Sequence, residues 1–390
     1  MLRITPLFAV VAVFASAASM LAAQQTDVQT AKTSNDIQLT DEARAITKEA
    51  LLVDGHNDLP WAMRELGSSF AKVDIRLPQP KLHTDIPRIR EGGLKAQFWS
   101  VYVPASTDLS GNALLQTMEQ IDLVHEMVDR YPDVFEMVRT ADDIERIVKS
   151  GKIASMIGVE GGYSIQNSLA VLQKLYDRGT RYMTLTHSKT LSWADSATDA
   201  PQHGGLAPFG EDVIREMNRI GMLVDISHVS PDTMLDALRI TKAPVIFSHS
   251  SARAICDHPR NVPDDVLRLM PANGGIVMIN FFSGFLVPMD QQKADKDRRG
   301  TIQLVVDHIE HVIKIAGIDH VGLGSDFDGI PRTPRQLDDV AHFPYITQEL
   351  LNRGYSRQQI EKVLGTNLLR VLRQAEDVSR KLKSGKLTSK

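Results

Sequence analysis

One cysteine, Cys256, serves a chain of 390 residues. A lone thiol closes no internal disulfide, so stability has to come from a buried core. Cysteine-built metal clusters are excluded as well, which leaves His, Asp and Glu as the metal ligands to look for. Excess positive charge is also missing: the formal net charge is -4. A nucleic-acid binder would need a basic face, so that class is set aside. The closing stretch, Arg380 to Lys390, is polar and basic and has no hydrophobic tail, which argues against a lipid anchor at that end. The first strand is not followed by a glycine-rich phosphate loop, which a doubly wound dinucleotide fold would usually carry there.

What is present reads as an ordinary globular composition, 43% hydrophobic and 24% charged. Arg3 precedes an apolar run from Leu7 to Ala18, with small residues up to Ala23. That pattern predicts a secretory signal peptide over 1–23 and a secreted or periplasmic protein. The apolar core is short for a membrane span, and no lipid-acceptor cysteine follows it, so no stable membrane anchor is expected. Residues 24–40 are polar and aperiodic and predict a flexible lead-in. No repeat and no linker follows, so 41–380 is expected to be a single domain, with a polar tail over 381–390.

Short apolar runs alternate with helical patterns through that domain. Strands are predicted to end near His56, Val103, Val159, Thr186, Ile226, Phe247, Phe281 and Gly324. Helices are predicted over Asp41–Ala50, Gly111–Tyr131, Thr140–Lys149, Asn167–Arg178, Phe209–Ile220, Ser230–Ile240, Pro263–Met270, Thr301–Ala316, Ile346–Arg353 and Arg357–Ala375. Arg64 to Asp85 reads as irregular, and Met289 to Arg299 as a charged loop insertion. Buried strands alternating with helices indicate a parallel sheet, and about eight such units predict an α/β fold, the closed (β/α)8 TIM barrel.

The strand endings carry the chemistry. His56 with Asp58, Glu160, His187, His228, His249 and Asp326 all sit where a strand stops. In a parallel barrel those stops share one rim, where barrel enzymes keep their active sites. Residues spread over roughly 270 positions would then converge on one cleft. Singly each has a bland reading, as a satisfied core histidine or a turn acid. Jointly, an empty cluster of buried acids and histidines would be costly to desolvate. Five of them, His56, Asp58, Glu160, His228 and His249, are enough for two metal sites that share a carboxylate. Glu160, the only strand-terminal glutamate, is the natural bridge.

The stretches Asp54-Gly55-His56-Asn57-Asp58-Leu59-Pro60, Gly158-Val159-Glu160-Gly161-Gly162, Thr184-Leu185-Thr186-His187-Ser188, Phe247-Ser248-His249-Ser250-Ser251 and Arg260-Asn261-Val262-Pro263-Asp264-Asp265 resemble the membrane (renal-type) dipeptidase family, peptidase family M19, of the amidohydrolase superfamily. The likeness runs from about Asp41 to Ala375. It implies a metallo-dipeptidase with two Zn2+ per chain: His56 and Asp58 on one, His228 and His249 on the other, Glu160 on both. It implies a shared water, acidified by the metals, that attacks the peptide carbonyl. His187 would help hold the oxyanion, Asp326 would carry the proton to the leaving amine and lie near the free amino group, and Arg260 would clamp the free carboxylate. Small dipeptides are then the substrates, with D-residues accepted at the C-terminal position and, in some members, β-lactam rings opened. Homodimerisation is the family's tendency. Two departures stand out: the single cysteine excludes disulfide-linked pairing through several cysteines, and Tyr163 stands in the loop after Glu160. The competing readings are another binuclear amidohydrolase (a D-aminoacylase, lactonase or β-lactam hydrolase) and a non-catalytic peptide- or metal-binding envelope protein. Cys256 is expected to be a packed thiol.

Overall fold

The computed structural model describes residues 36–67, 69–288, 290–291 and 299–388. The expected signal peptide, the lead-in up to residue 35 and most of the 289–299 insertion lie outside these residues. The secondary-structure elements belong to one unit, Ile37–Lys390.

The strands are β1 (Val53–Asn57), β2 (Ala96–Tyr102), β3 (Phe135–Met137), β4 (Ile153–Glu160), β5 (Thr180–Thr184), β6 (Leu223–Asp225), β7 (Ile246–Phe247), β8 (Ile276–Ile279) and β9 (Val321–Leu323). All pair in parallel in the order β2-β1-β9-β8-β7-β6-β5-β4, and a β2–β4 ladder closes the ring. Eight strands therefore make the predicted barrel. The ninth, β3, is an addition to the sequence reading: three residues are too few to show a period. It pairs with the start of β4 (Phe135↔Ile153), on the side where β5 pairs with the end of β4 (Glu160↔Thr184).

The strands are short and buried, and helices cover them. Where the sequence offered a capping signal it was used. Thr140 accepts from the Asp143 N–H, and the Asp143 carboxylate accepts from the Thr140 N–H at 2.9 Å, a reciprocal cap for helix Ala141–Lys149. Among the helices of seven residues or more, Leu59–Glu65 and Ile86–Gly92 go beyond the sequence reading. Both carry proline in their first turn, where the missing N–H costs nothing, so Pro60 and Pro87 act as helix starters. The expected helix Pro263–Met270 is instead two short turns, Asp264–Leu267 and Met270–Asn273.

The expected helix Arg357–Ala375 is also interrupted. Arg357–Glu361 passes into a wide turn, Lys362–Thr366, before Asn367–Lys383 resumes. The cause is close approach: a Cβ on Gly365 would lie 2.0 Å from the Leu51 carbonyl oxygen, at the entry to β1. A second glycine serves the barrel interior. A Cβ on Gly158 would fall 2.0 Å from the Tyr182 ring, so its absence lets that ring lie inside the barrel. Phe98, Met156, Tyr182, Leu223, Ile246 and Met278 belong to one buried cluster there, with Phe98 and Tyr182 rings 4.8 Å apart. A larger cluster fills the space under the helices. Cys256 is buried, and burial pushes its thiol up to about 11. Among the described residues no helix is long and apolar enough to cross a membrane.

Candidate metal centre

The strand ends meet as the alternation of strand and helix requires. His56 is in β1 and Glu160 is the last residue of β4; the other residues lie one to three positions past their strands. Two hydrogen bonds stitch β1 to the loop after β9: the Asp326 N–H donates to the His56 carbonyl (3.0 Å), and the Asp58 N–H donates to the Phe327 carbonyl (2.8 Å). The stitch sets Asp58 beside Asp326. His228 and Asp326 both adopt left-handed backbone, φ 67° and 65°, strain of the kind that collects at functional sites.

Glu160 is central. Its Oε1 lies 3.0 Å from His228 Nε2, 3.4 Å from His249 Nε2 and 3.8 Å from His187 Nε2. Its Oε2 lies 3.7 Å from His56 Nε2, which is 3.3 Å from Asp58 Oδ2. The His228 and His249 Nε2 atoms are 2.8 Å apart. Three groups bring their ligand atoms within 4.8 Å of one another: His56, Glu160 and His249; Glu160, His187 and His228; and His56, Asp58 and Asp326. All the strand-end residues singled out in the sequence thus share one place. The neighbourhoods also cut across the pairing expected there, since His249 stands as near to His56 as to His228, with ring centroids 3.8 and 4.9 Å away.

A divalent cation fits this set. His56 Nε2 and Asp58 Oδ1 are buried without a hydrogen-bond partner, an arrangement that is expensive unless something positive sits among them. The donors are all nitrogen and oxygen, imidazole with carboxylate, which suits zinc or a similar ion. Charge is distributed unevenly around Glu160. Burial works against a proton on His56, but Asp58 and Glu160 outweigh it and raise its pKa. Burial, joined by the Arg260 charge, holds His228 well below the usual imidazole range, and burial with His56 and Arg260 does the same for His249. Burial likewise raises Glu160 and Asp326, the latter helped by the Asp58 charge. His187 is pushed down to about 3 by burial and Arg260.

Residues the sequence reading passed over hold the candidate ligands in place. The Tyr182 hydroxyl meets His56 Nδ1 at 2.8 Å. Ser248 Oγ meets His249 Nδ1 at 2.8 Å and donates to Asp225 at 2.6 Å. Asn280 Nδ2 donates to Asp326 Oδ2 at 2.8 Å. Such outer partners set ring orientation and tautomer. Tyr182 had one signal, since a buried phenol needs a partner. Asn280 had another: it closes the eighth strand as the acids and histidines close theirs.

Above the cluster opens a cavity of about 380 Å³, lined among others by Trp61, Tyr102, His187, His258, Arg260, Phe282, Phe285 and Ile330. Arg260 is 3% exposed, and burial brings its guanidinium down to about 10. It donates to the Ser250 hydroxyl (3.3 Å) and the His249 carbonyl (3.2 Å), which leaves further N–H groups for a ligand. Tyr163, by contrast, is buried and donates to the Val103 carbonyl at 2.5 Å; it is not among the cavity's lining residues.

Known proteins place this architecture. Residues 40–386 match the family described as membrane dipeptidase (peptidase family M19). Dipeptidase verJ of Clonostachys rogersoniana is 42% identical over 356 residues, 88% of each chain. Dipeptidase 3 of Rattus norvegicus is 42% identical over 353 residues, 89% of this chain and 70% of the relative. The fold recurs in the crystal structure of the probable dipeptidase PvdM from Pseudomonas aeruginosa, with a TM-score of 0.77, 22% identity, and 86% and 98% of the two chains covered. It recurs in a metallo peptidase from Rhodobacter sphaeroides liganded with a phosphinate mimic of L-Ala-D-Ala, with a TM-score of 0.75, 24% identity, and 84% and 99% covered. With a family match over almost the whole described chain and relatives at 42% identity along most of it, this protein belongs to the membrane dipeptidase family, peptidase family M19, and is a metallo-dipeptidase.

Proposed function

We propose that the chain is a two-zinc dipeptidase that cleaves dipeptides with free amino and carboxyl ends, D-residues at the C-terminal position included. One observation carries the reading: the two oxygens of Glu160 face different groups, Oε1 toward His228 and His249, Oε2 toward His56. His56 and Asp58 would hold one ion, His228 and His249 the other, and Glu160 both. When bound, the ions supply Lewis acidity and an acidified water.

The remaining roles fall to side chains. Arg260, buried and with N–H groups to spare, binds the substrate carboxylate as a fork. His187, neutral in its buried setting, offers an N–H to the developing oxyanion. Asp326 takes the proton of the attacking water and passes it to the leaving amine. Asn280 occupies its Oδ2, which leaves Oδ1 for that proton. The aromatic walls of the small cavity exclude longer chains, since both peptide ends must be met at once. By the leader at 1–23, the enzyme works outside the cytoplasm.

The deciding experiment is hydrolysis of an L,D-dipeptide by metal-replete protein, with and without a chelator. Turnover that chelation abolishes and Zn2+ restores is expected; none in the replete protein would overturn the reading. Arg260→Ala is expected to raise KM about ten-fold or more, on the order of 1.5–3 kcal/mol for a charged hydrogen bond.

A further inference from the structure

Beside Arg260 the cleft holds a histidine with no part in the chemistry above. His258-Pro259-Arg260-Asn261 is a turn: the Asn261 N–H donates to the His258 carbonyl at 2.9 Å, and proline suits the second position. Within the turn the Arg260 N–H donates to His258 Nδ1 at 3.1 Å. A neutral imidazole carries one hydrogen, so accepting at Nδ1 places that hydrogen on Nε2. The ring is half-buried and lines the same cavity as Arg260. It lies 4.6 Å from the Phe285 ring, and the Arg260 guanidinium lies 5.3 Å over that same ring. Asn261 anchors the turn from beneath, donating to the Cys256 carbonyl (2.8 Å) and the Phe285 carbonyl (2.7 Å). The two donors therefore share one rigid platform, fixed before any ligand arrives.

We propose that His258 is a second anchor for the substrate's C-terminal carboxylate, its Nε2–H donating to a lone pair that the Arg260 fork leaves free on one oxygen. The inference rests on the dipeptidase reading of this cleft and adds a binding residue to it. Burial and the neighbouring Arg260 charge bring His258 down to about 4, so the ring is a neutral donor through the neutral pH range. A neutral donor paired with a cation adds direction without adding charge to a pocket that is already costly to desolvate.

A purely structural role, capping the turn, makes different predictions. His258→Asn keeps a side-chain oxygen able to cap the same N–H and removes the distal donor. Its KM for a dipeptide is expected to rise about ten-fold, with kcat and the melting temperature unchanged. The loss should vanish for the corresponding analogue with a methyl group in place of the carboxyl group, assayed as a competitor, because a methyl offers the His258 N–H no acceptor. His258→Phe, which loses the cap too, should show the same KM defect with a lowered melting temperature. A His258→Asn enzyme with the parent's KM overturns the proposal, as does an equal loss of affinity for the acid and the methyl analogue. Absence of dipeptide turnover in the parent enzyme is seen before any variant is made; it sinks the dipeptidase reading and this proposal with it.

Discussion

The two halves of the candidate site, on either side of Glu160, are built alike at the back and differently at the front. Behind β1, Asp54 accepts from the Ser325 N–H (2.7 Å) and hydroxyl (2.6 Å). Behind β6, Asp225 accepts from the Ser248 N–H (2.9 Å) and hydroxyl (2.6 Å). Each buried aspartate thus ties its strand to the neighbouring one through a serine. In front they part. The Asp225–Ser248 chain continues to His249 Nδ1, while His56 Nδ1 is met by Tyr182, a residue of β5. Asp58 and Asp326 crowd His56; the neutral rings of His228 and His249 sit with His187 and Arg260. One half is rich in acid and the other in imidazole, and Glu160 spans the difference. The lesson is that a strand-tying aspartate can be repeated around a barrel while the charge it supports is varied.

Removing the span should have the largest effect. Glu160→Gln is expected to lower metal content in both halves and to cut kcat/KM by more than the roughly 10–100-fold that loss of an outer partner costs. Elemental analysis beside kinetics checks it, and two retained metals would show that Glu160 is not shared. Next come changes confined to one half. Asp58→Asn and His249→Asn should each leave about one equivalent of metal, and equal loss of both metals in either variant would erase the distinction between the halves. Smaller again are the outer partners: Tyr182→Phe should weaken the acid-rich half and Ser248→Ala the imidazole-rich half, each by about 10–100-fold in metal affinity, read by competition with a chelator.

The subtlest contrast is with pH. His56 has a raised pKa and is protonated in the metal-free protein near neutrality, whereas His228 and His249 have lowered pKa values and are not. A cation must therefore displace a proton at His56 and none at the other two rings. Calorimetry in buffers of different ionisation enthalpy should find proton release on filling the acid-rich half, with affinity there falling faster as pH drops from 8 to 6. Equal proton release for both halves would remove the contrast.

Much of this was legible before any fold was known. Six of the eight barrel strands are short apolar runs that end at or just before an acid or a histidine, and those residues needed only a parallel barrel to bring them to one rim. The strand-end rule singled out His56, Asp58, Glu160, His187, His228, His249 and Asp326, and the structure gathers their side chains at one rim. It missed Tyr182, Asp225 and Ser248, which lie within or beside strands and look like filler until a neighbouring strand supplies their partner. It missed β3 because three residues show no period, and it took the prolines at 60 and 87 for plain sequence where they open helices.

By itself, then, the order of residues determined the alternation of strand and helix, the closed barrel that alternation favours, and the list of groups gathered at its mouth, because local period and burial are written in neighbouring positions. Which nitrogen of His56 or His249 faces inward, which oxygen of Glu160 faces which ring, and how Arg260 and His258 come to share one platform were decided only by tertiary structure. Those are matters of ångströms between residues tens to hundreds of positions apart, and they are set by hydrogen bonds that exist only once the ring of strands has closed.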